Sequence, residues 1–365
     1  MTAGEPVCPD GSRLGGIIDG DRTPATNTVV YAALTEDLLR LSLPELRQAL
    51  GPFVELRPWQ QAPERGGVLL MAPHELSPAR RASVLRSAEW SWVHLTSAGA
   101  DFMDLAAWPA DTLLTRSWRC YAAPLAEYAL HAVLTREWHG GAPWQERDTR
   151  PTPAPDVPPV PAGASTGGGA GLWGADVTVA GWGAVGQRLA GVFDALGARV
   201  TVLRRRPESE PGSRIAQTAD LRRALDADHL VVALPLTDGT RRLFDRAALG
   251  LARPGLHLVN VSRADIIDQD ALTELCAAGR LSATLDVTDP EPLPLDHPLR
   301  HLPTVRLSPH VAWRSRASDC AFAEDFATIW HALARPGTPV PGAVPPTTDT
   351  YARAAVQGIL TAGRS

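Results

Sequence analysis

ADVTVAGWGAVG, residues 175–186, decides the fold of this chain. Its first half alternates small and β-branched residues as a buried strand does, and its second half is a G-x-G-x-x-G turn made by Gly181, Gly183 and Gly186. The three glycines have separate tasks. The first permits a tight turn, the second lets a pyrophosphate approach the backbone, and the third lets the next helix pack closely on the strand. That helix is marked by Leu189, Val192, Phe193 and Leu196 at i, i+3, i+4 and i+7, with Gly197 as its stop. Strand, turn and helix in this order predict a dinucleotide site, with Trp182, Ala184 and Val185 in the same loop and the helix N-terminus facing the phosphates.

Working outward, the strand candidates ARVTVL, HLVVALP, LHLVNVS, LSATLDV and TVRLSPH follow, separated by helices such as DQDALTELCAAG, with Asp268 as N-cap and Gly279 as stop. Five or six strands with helical crossovers predict a doubly wound parallel sheet whose ligands sit at the carboxyl ends of the strands. Upstream, TVVYAAL, FVELRPW, GVLLMAP and WVHLTSAG alternate with the helical stretches SLPELRQALG and SPARRASVLRSA, which predicts a second, smaller α/β unit. Between the two lies PTPAPDVPPVPAGASTGGGAG, from Pro151 to Gly171, too rich in proline and glycine to pack as helix or sheet.

Composition narrows the chemistry. The chain has 365 residues and a net charge of −5, and all 35 of its cationic residues are arginine. Without lysine, Schiff-base and pyridoxal-phosphate enzymes, Walker A nucleotidases and Tyr/Lys-dependent reductases are excluded. Mild acidity argues against a nucleic-acid partner. No apolar stretch in residues 1–27 suits a signal peptide, and no run approaches membrane-spanning length. Cys8, Cys120, Cys276 and Cys320 are too far apart to signal a zinc site or a disulfide framework. A cytoplasmic protein without a metal, its cysteines buried as small apolar residues, is expected.

The end of the second strand bears on the cofactor. An NAD site would place an acid there for the ribose 2′-hydroxyl. This chain has Arg204, Arg205 and Arg206. Guanidinium groups suit a 2′-phosphate through charge-assisted bonds, so NADPH (NADP) is expected over NAD.

Three later segments carry the reactive side chains: LVNVSRADIID with Arg263, LDVTDPEPLP with Asp286 and Glu291, and LSPHVAW with His310. Together with the glycine turn, LPLTDGT (Leu234 to Thr240), AEYAL (Ala126 to Leu130) and TSAGAD (Thr96 to Asp101), they resemble the D-isomer-specific 2-hydroxyacid dehydrogenases. Two positions depart from that pattern, Ala264 after the arginine and Thr288 after Asp-Val, and neither removes a chemical group. The resemblance implies that Arg263 holds the substrate carboxylate and polarises the keto oxygen, that His310 donates the proton, and that Glu291 pairs with it. It further implies a carboxylate-binding loop of backbone amides at Ala98, Gly99 and Ala100, a substrate wall at Trp313, and cofactor contacts at Leu234, Pro235, Thr240, Val261 and Ser262. Asp286 either meets the nicotinamide side or caps its strand. The residue types agree with these roles: a 2-keto acid offers a carboxylate to a guanidinium fork, its carbonyl oxygen needs an acid, and a carboxylate beside an imidazole favours the protonated ring.

The expected protein is therefore α/β, with two Rossmann-like or flavodoxin-like domains of doubly wound parallel sheet and an active-site cleft between them. A flexible tail would occupy 1–27. A substrate-binding domain would span 28–124 and be completed by 311–365, and a dinucleotide domain would span 125–310, including the insert at 145–172. The implied activity is NADPH-dependent reduction of a small 2-keto acid to the D-2-hydroxy acid, as in glyoxylate/hydroxypyruvate reductases. A homodimer with Leu125 to Glu137 as its arm is implied too. Two alternatives share the scaffold: a formate- or phosphite-type dehydrogenase, and a non-catalytic dinucleotide sensor of the corepressor kind.

Overall fold

Short apolar runs closed by turn residues become parallel strands buried on both faces, which is why they read as near-continuous hydrophobic stretches. In this computed structural model the described residues are 28–50, 54–139, 171–208, 212–315, 318–335 and 338–344. The expected tail at 1–27, and the proline- and glycine-rich insert up to residue 170, lie outside them.

The chain begins with β1 (Thr28–Ala33), α1 (Glu36–Leu50), β2 (Val54–Pro58), β3 (Val68–Met71), α2 (Pro78–Leu85), β4 (Trp92–Leu95) and β5 (Leu113–Arg116). The five strands form one parallel sheet in the order β2-β1-β3-β4-β5. Next come α3 (Ala122–His139), β6 (Asp176–Ala180), α4 (Ala184–Ala195), β7 (Arg199–Leu203), β8 (Ala216–Thr218), α5 (Leu221–Leu225), β9 (His229–Val232), α6 (Arg246–Leu249), β10 (His257–Asn260), α7 (Gln269–Ala277), β11 (Ser282–Leu285) and β12 (Val305–Leu307). These seven strands make a second parallel sheet, ordered β12-β11-β10-β9-β6-β7-β8. Its order reverses between β6 and β9, where both strands end in loops: the topological switch point at which ligands bind.

Two parallel α/β sheets are thus present, as expected, with two differences. The second sheet has seven strands, not five or six, because the three-residue β8 pairs along the outer edge of β7. Leu196, placed on the buried stripe of α4 with Leu189 and Phe193, is 43% exposed, since it sits in the cap turn after Ala195.

The final helix, α8 (Ser318–Leu333), returns to the first sheet. Phe326 stacks on Trp92 at 4.9 Å, and Phe322 and Trp330 join the same core. Asp325 accepts the backbone N–H groups of Trp118, Arg119 and Cys120, at 2.9, 2.9 and 3.1 Å, just ahead of α3. From there α3 crosses to the second sheet, where Ala126, Ala129, Ala132 and Val133 pack with Val177, Val179 and Leu189. Among the described residues, no helix is long and apolar enough to cross a membrane.

Candidate active site

The glycine turn has the geometry its spacing demands. Gly181 has φ +119°, and a Cβ there would lie 2.4 Å from the Ala233 carbonyl oxygen. A Cβ on Gly186 would lie 2.2 Å from the Gly181 carbonyl oxygen, so only hydrogen lets α4 sit this close to β6. Gly183 is different, because a Cβ there would meet nothing within 4 Å. It is the N-cap of α4 and supplies no capping side chain, whereas α2, α5, α6 and α7 are capped by Ser77, Asp220, Asp245 and Asp268. The first-turn N–H groups of α4 therefore face open space with the positive end of the helix dipole behind them, an arrangement suited to a pyrophosphate.

Arg204 follows β7, with its guanidinium bonded to Glu208 at 3.0 Å and to Gln217 at 3.3 Å, while Arg205 and Arg206 are exposed. Around the switch point, Thr240 Oγ1 donates to the Pro235 carbonyl at 2.6 Å and closes the turn that carries Leu234. Ser262 Oγ donates to the Val232 carbonyl at 2.8 Å, tying the Val261–Ser262 strand end to β9.

Arg263 stands on the loop after β10, shaped by buried Asn260, whose Nδ2 donates to the Arg263 carbonyl at 2.9 Å and whose Oδ1 accepts from Ser262 N at 3.0 Å. Its guanidinium reaches across to the first domain. Nε and Nη2 donate to the Asp101 carboxylate at 3.0 to 3.2 Å, and Nη1 donates to the Ser262 carbonyl at 2.8 Å. It lies so close to the Ala98–Gly99–Ala100 loop that a Cβ on Gly99 would fall 1.8 Å from Nη2. Burial works against the Asp101 charge, but the hydrogen bonds and charge of Arg263 outweigh it and hold the carboxyl below its usual range. Arg116, at the end of β5, donates to the Ala98 carbonyl from behind the loop. Burial and the charge of Arg263 push its guanidinium down, with Asp101 opposing.

His310 follows β12 in a left-handed conformation, φ +54°, that few side chains adopt. Buried Asp286 holds the segment there. Its carbonyl accepts from His310 N at 2.8 Å, and its carboxylate accepts from Val311 N and Ala312 N, both at 2.9 Å, and from Ser308 Oγ at 2.6 Å. Because the Ser308 hydroxyl is committed to Asp286, the Tyr128 hydroxyl on α3 donates to Ser308, at 2.6 Å.

His310 Nδ1 meets Glu291 Oε1 at 2.8 Å, both side chains being partly exposed, so Nε2 is left for another partner. Trp313 Nε1 donates to the His310 carbonyl at 2.9 Å, and its ring meets Tyr121 at 5.9 Å and His74 at 4.6 Å. His74 lies in the turn after β3, and burial with the charges of Arg314 and His310 pushes its imidazole down, with Glu75 opposing. The structure therefore brings Arg263, Glu291, His310, Trp313 and the Ala98–Ala100 loop to one cleft. Sequence reasoning passed over Asp101, Arg116 and His74. Asp101 lay inside a quoted segment, and His74 follows a strand end, the signal used for the others.

Comparison with known proteins bears on this arrangement. The model of the D-isomer specific 2-hydroxyacid dehydrogenase NAD binding domain matches residues 163–312. A Streptomyces coelicolor protein described as uncharacterized, from the mprR 3′ region, is 33% identical over 268 residues, which is 72% of this chain and 91% of that protein. Glyoxylate/hydroxypyruvate reductase B of Pectobacterium atrosepticum is 41% identical over 110 residues, 29% of this chain and 34% of the reductase. The fold matches the crystal structure of a D-isomer specific 2-hydroxyacid dehydrogenase family protein from Aeromonas salmonicida with TM-score 0.66 at 24% identity, covering 89% of this chain and 100% of that one.

Proposed function

Since the chain belongs to the D-isomer-specific 2-hydroxyacid dehydrogenase family, we propose that it reduces a small 2-keto acid to the D-2-hydroxy acid with NADPH, as glyoxylate/hydroxypyruvate reductases do. The observation that carries this reading is the convergence of Arg263 and the His310–Glu291 pair on the cleft from the carboxyl ends of β10, β11 and β12. The open α4 N-terminus, the Gly183 cradle and the Arg204–Arg206 cluster fit a dinucleotide with a 2′-phosphate. Such a cofactor, when bound, supplies the hydride.

The remaining steps fall to this chain's side chains. Arg263 and the amides of the Ala98–Ala100 loop hold the substrate carboxylate and orient the carbonyl. His310 gives the proton from Nε2 to the carbonyl oxygen as charge develops there, and Glu291 fixes the orientation of the ring through Nδ1. Trp313 walls the substrate pocket, and Asp286, by holding the His310 segment, stands next to the nicotinamide position. A cytoplasmic homodimer with Leu125 to Glu137 as arm belongs to the same proposal, as does the division of the chain into a substrate domain completed by residues 311–365 and a dinucleotide domain.

The test is NADPH oxidation across glyoxylate, hydroxypyruvate, pyruvate and bulkier 2-keto acids. Arg263→Ala is expected to lower kcat/KM by about 10²–10³. His310→Ala should lower kcat by roughly 10²–10⁴ while leaving NADPH affinity in place. Arg204→Ala should weaken NADPH and spare NADH. Absence of turnover over the whole panel would overturn the activity, and a wild-type preference for NADH would overturn the cofactor.

A further inference from the structure

Beyond the reacting groups, the loop that carries His310 brings one more cation to the cleft. Arg314 follows Trp313 directly, and its backbone N–H donates to the Val311 carbonyl at 2.9 Å, which keeps the loop tightly turned. Its guanidinium lies over the Trp313 indole, 5.4 Å from the ring centroid, a cation–π contact that holds this long side chain against the substrate wall. The same indole meets the His74 ring edge-on at 4.6 Å. Among the described residues Arg314 makes no ion pair, and the His74 ring makes no hydrogen bond.

The acids nearby are engaged elsewhere. Asp101 is bonded to Arg263, Glu291 to His310, and Glu75 Oε2 accepts from the Thr35 N–H at 3.0 Å. Glu75 favours a protonated His74, but burial with the charges of Arg314 and His310 outweighs it, so the ring is neutral near pH 7 and donates from one nitrogen. Both charges reach His74, which sets Arg314 on the same side of the cleft as the proton donor.

The shape of a 2-keto acid turns this arrangement into a statement about the substrate. Around its trigonal C2 the carboxylate, the carbonyl oxygen and the remaining substituent point in three directions. With the carboxylate on Arg263 and the oxygen at His310, the substituent is directed away from Arg263, along the wall that Trp313 and His74 form. Resting on the reduction proposed above, we infer that this substituent ends in a second carboxylate, held by the Arg314 guanidinium with the His74 ring beside it. The substrate class is then the 2-keto dicarboxylates with a short methylene spacer. A guanidinium stacked by its face on an indole keeps its N–H edges for a carboxylate, and the spacer lies on the apolar ring. The chemistry is unchanged: C2 accepts the hydride that the nicotinamide loses, its oxygen takes the His310 proton, and the product is the D-2-hydroxy dicarboxylate.

The experiment is steady-state turnover of the full chain, with NADPH and with NADH, on oxaloacetate and 2-oxoglutarate against 2-oxovalerate and 2-oxohexanoate, which approach them in length without the second charge. Wild type is expected to prefer the dicarboxylates in kcat/KM. In Arg314→Gln that preference should fall about tenfold or more, through KM and not kcat, as for loss of a charge-assisted hydrogen bond. Arg314→Lys, which keeps the charge but not the fork, should restore part of it. Because the preference is a ratio within each variant, a general defect of folding cancels. A wild type that prefers monocarboxylates, glyoxylate included, or a preference unchanged in Arg314→Gln, would overturn the subsite while leaving 2-keto acid reduction in place. No turnover of any of these acids would overturn the reduction itself, and this substrate class with it.

Discussion

Asp101 takes both the Nε and the Nη2 edges of Arg263, the edges a substrate carboxylate would use, and Nη1 is spent on the Ser262 carbonyl. An incoming 2-keto acid must therefore displace one carboxylate with another. Asp101→Asn keeps the shape but removes the competing charge, so KM for the keto acid should fall by about tenfold, the value of one charged hydrogen bond. A KM that rises or stays level in steady-state kinetics would show that Asp101 positions Arg263 without competing. The pair also marks where sequence reading stops at the scale of residues. Arg263, Glu291 and His310 were legible because each stands in a short motif after a strand. Asp101 joins Arg263 across 162 residues of chain, and nothing in the composition of TSAGAD says which arginine it will meet. Arg116 escaped for the same reason, since its bond to the Ala98 carbonyl exists only once β5 lies against β4.

The β6–turn–α4 unit shows what was legible among elements, because its glycines are required by contacts close in sequence. Gly186→Ala drives a Cβ to within 2.2 Å of the Gly181 carbonyl oxygen, a backbone atom that cannot move without parting helix from strand. The expected cost is about 1–3 kcal/mol of stability, seen as a lower thermal midpoint, together with loss of dinucleotide binding. Gly183→Ala meets nothing within 4 Å, so it should leave the thermal midpoint unchanged and weaken only the dinucleotide, measured by fluorescence titration. A reversed ranking of the two midpoints would contradict this division of labour. Elsewhere the elements were harder to read. In β8, Ala216–Thr218 is a three-residue edge strand without an apolar run, and β5 is four residues ending in arginine. Both exist because a neighbouring strand offers its edge. The α1 helix begins at Glu36, ahead of the stretch read as helical, and carries Pro44 inside it. Its packing against α8, brought back from the far end of the chain, lies outside any local pattern.

At the scale of the whole molecule, each domain buries a histidine in the neutral form, and this sets how stability responds to acid. In the first domain His94 lies between Thr115 Oγ1 at 2.9 Å and Ser117 Oγ at 3.2 Å, with Phe326 of α8 at 5.2 Å, so the return of the C-terminal helix helps to seal it. Burial pushes His94 down to about 3. In the second domain His257 is pushed down by burial and by the charges of His229, Arg136 and Arg306. An unfolded chain protonates both near pH 6.5, whereas the folded chain resists until well below that. The unfolded state therefore binds more protons as pH falls, and this contribution, fully present above pH 6.5, is lost toward the folded-state values. The slope is about 1.4 kcal/mol per pH unit for each such group. Between pH 6.5 and 5 the carboxylates add little, because their unfolded-state titration lies lower. Urea unfolding across that interval should show stability falling with acidity in wild type. His94→Asn should flatten the slope by close to one group's share while lowering the plateau above pH 7, since asparagine does not titrate and fills the site less well. Equal slopes in the two proteins would mean that His94 is protonated inside the fold, at odds with its two hydroxyl partners and the aromatic wall around it.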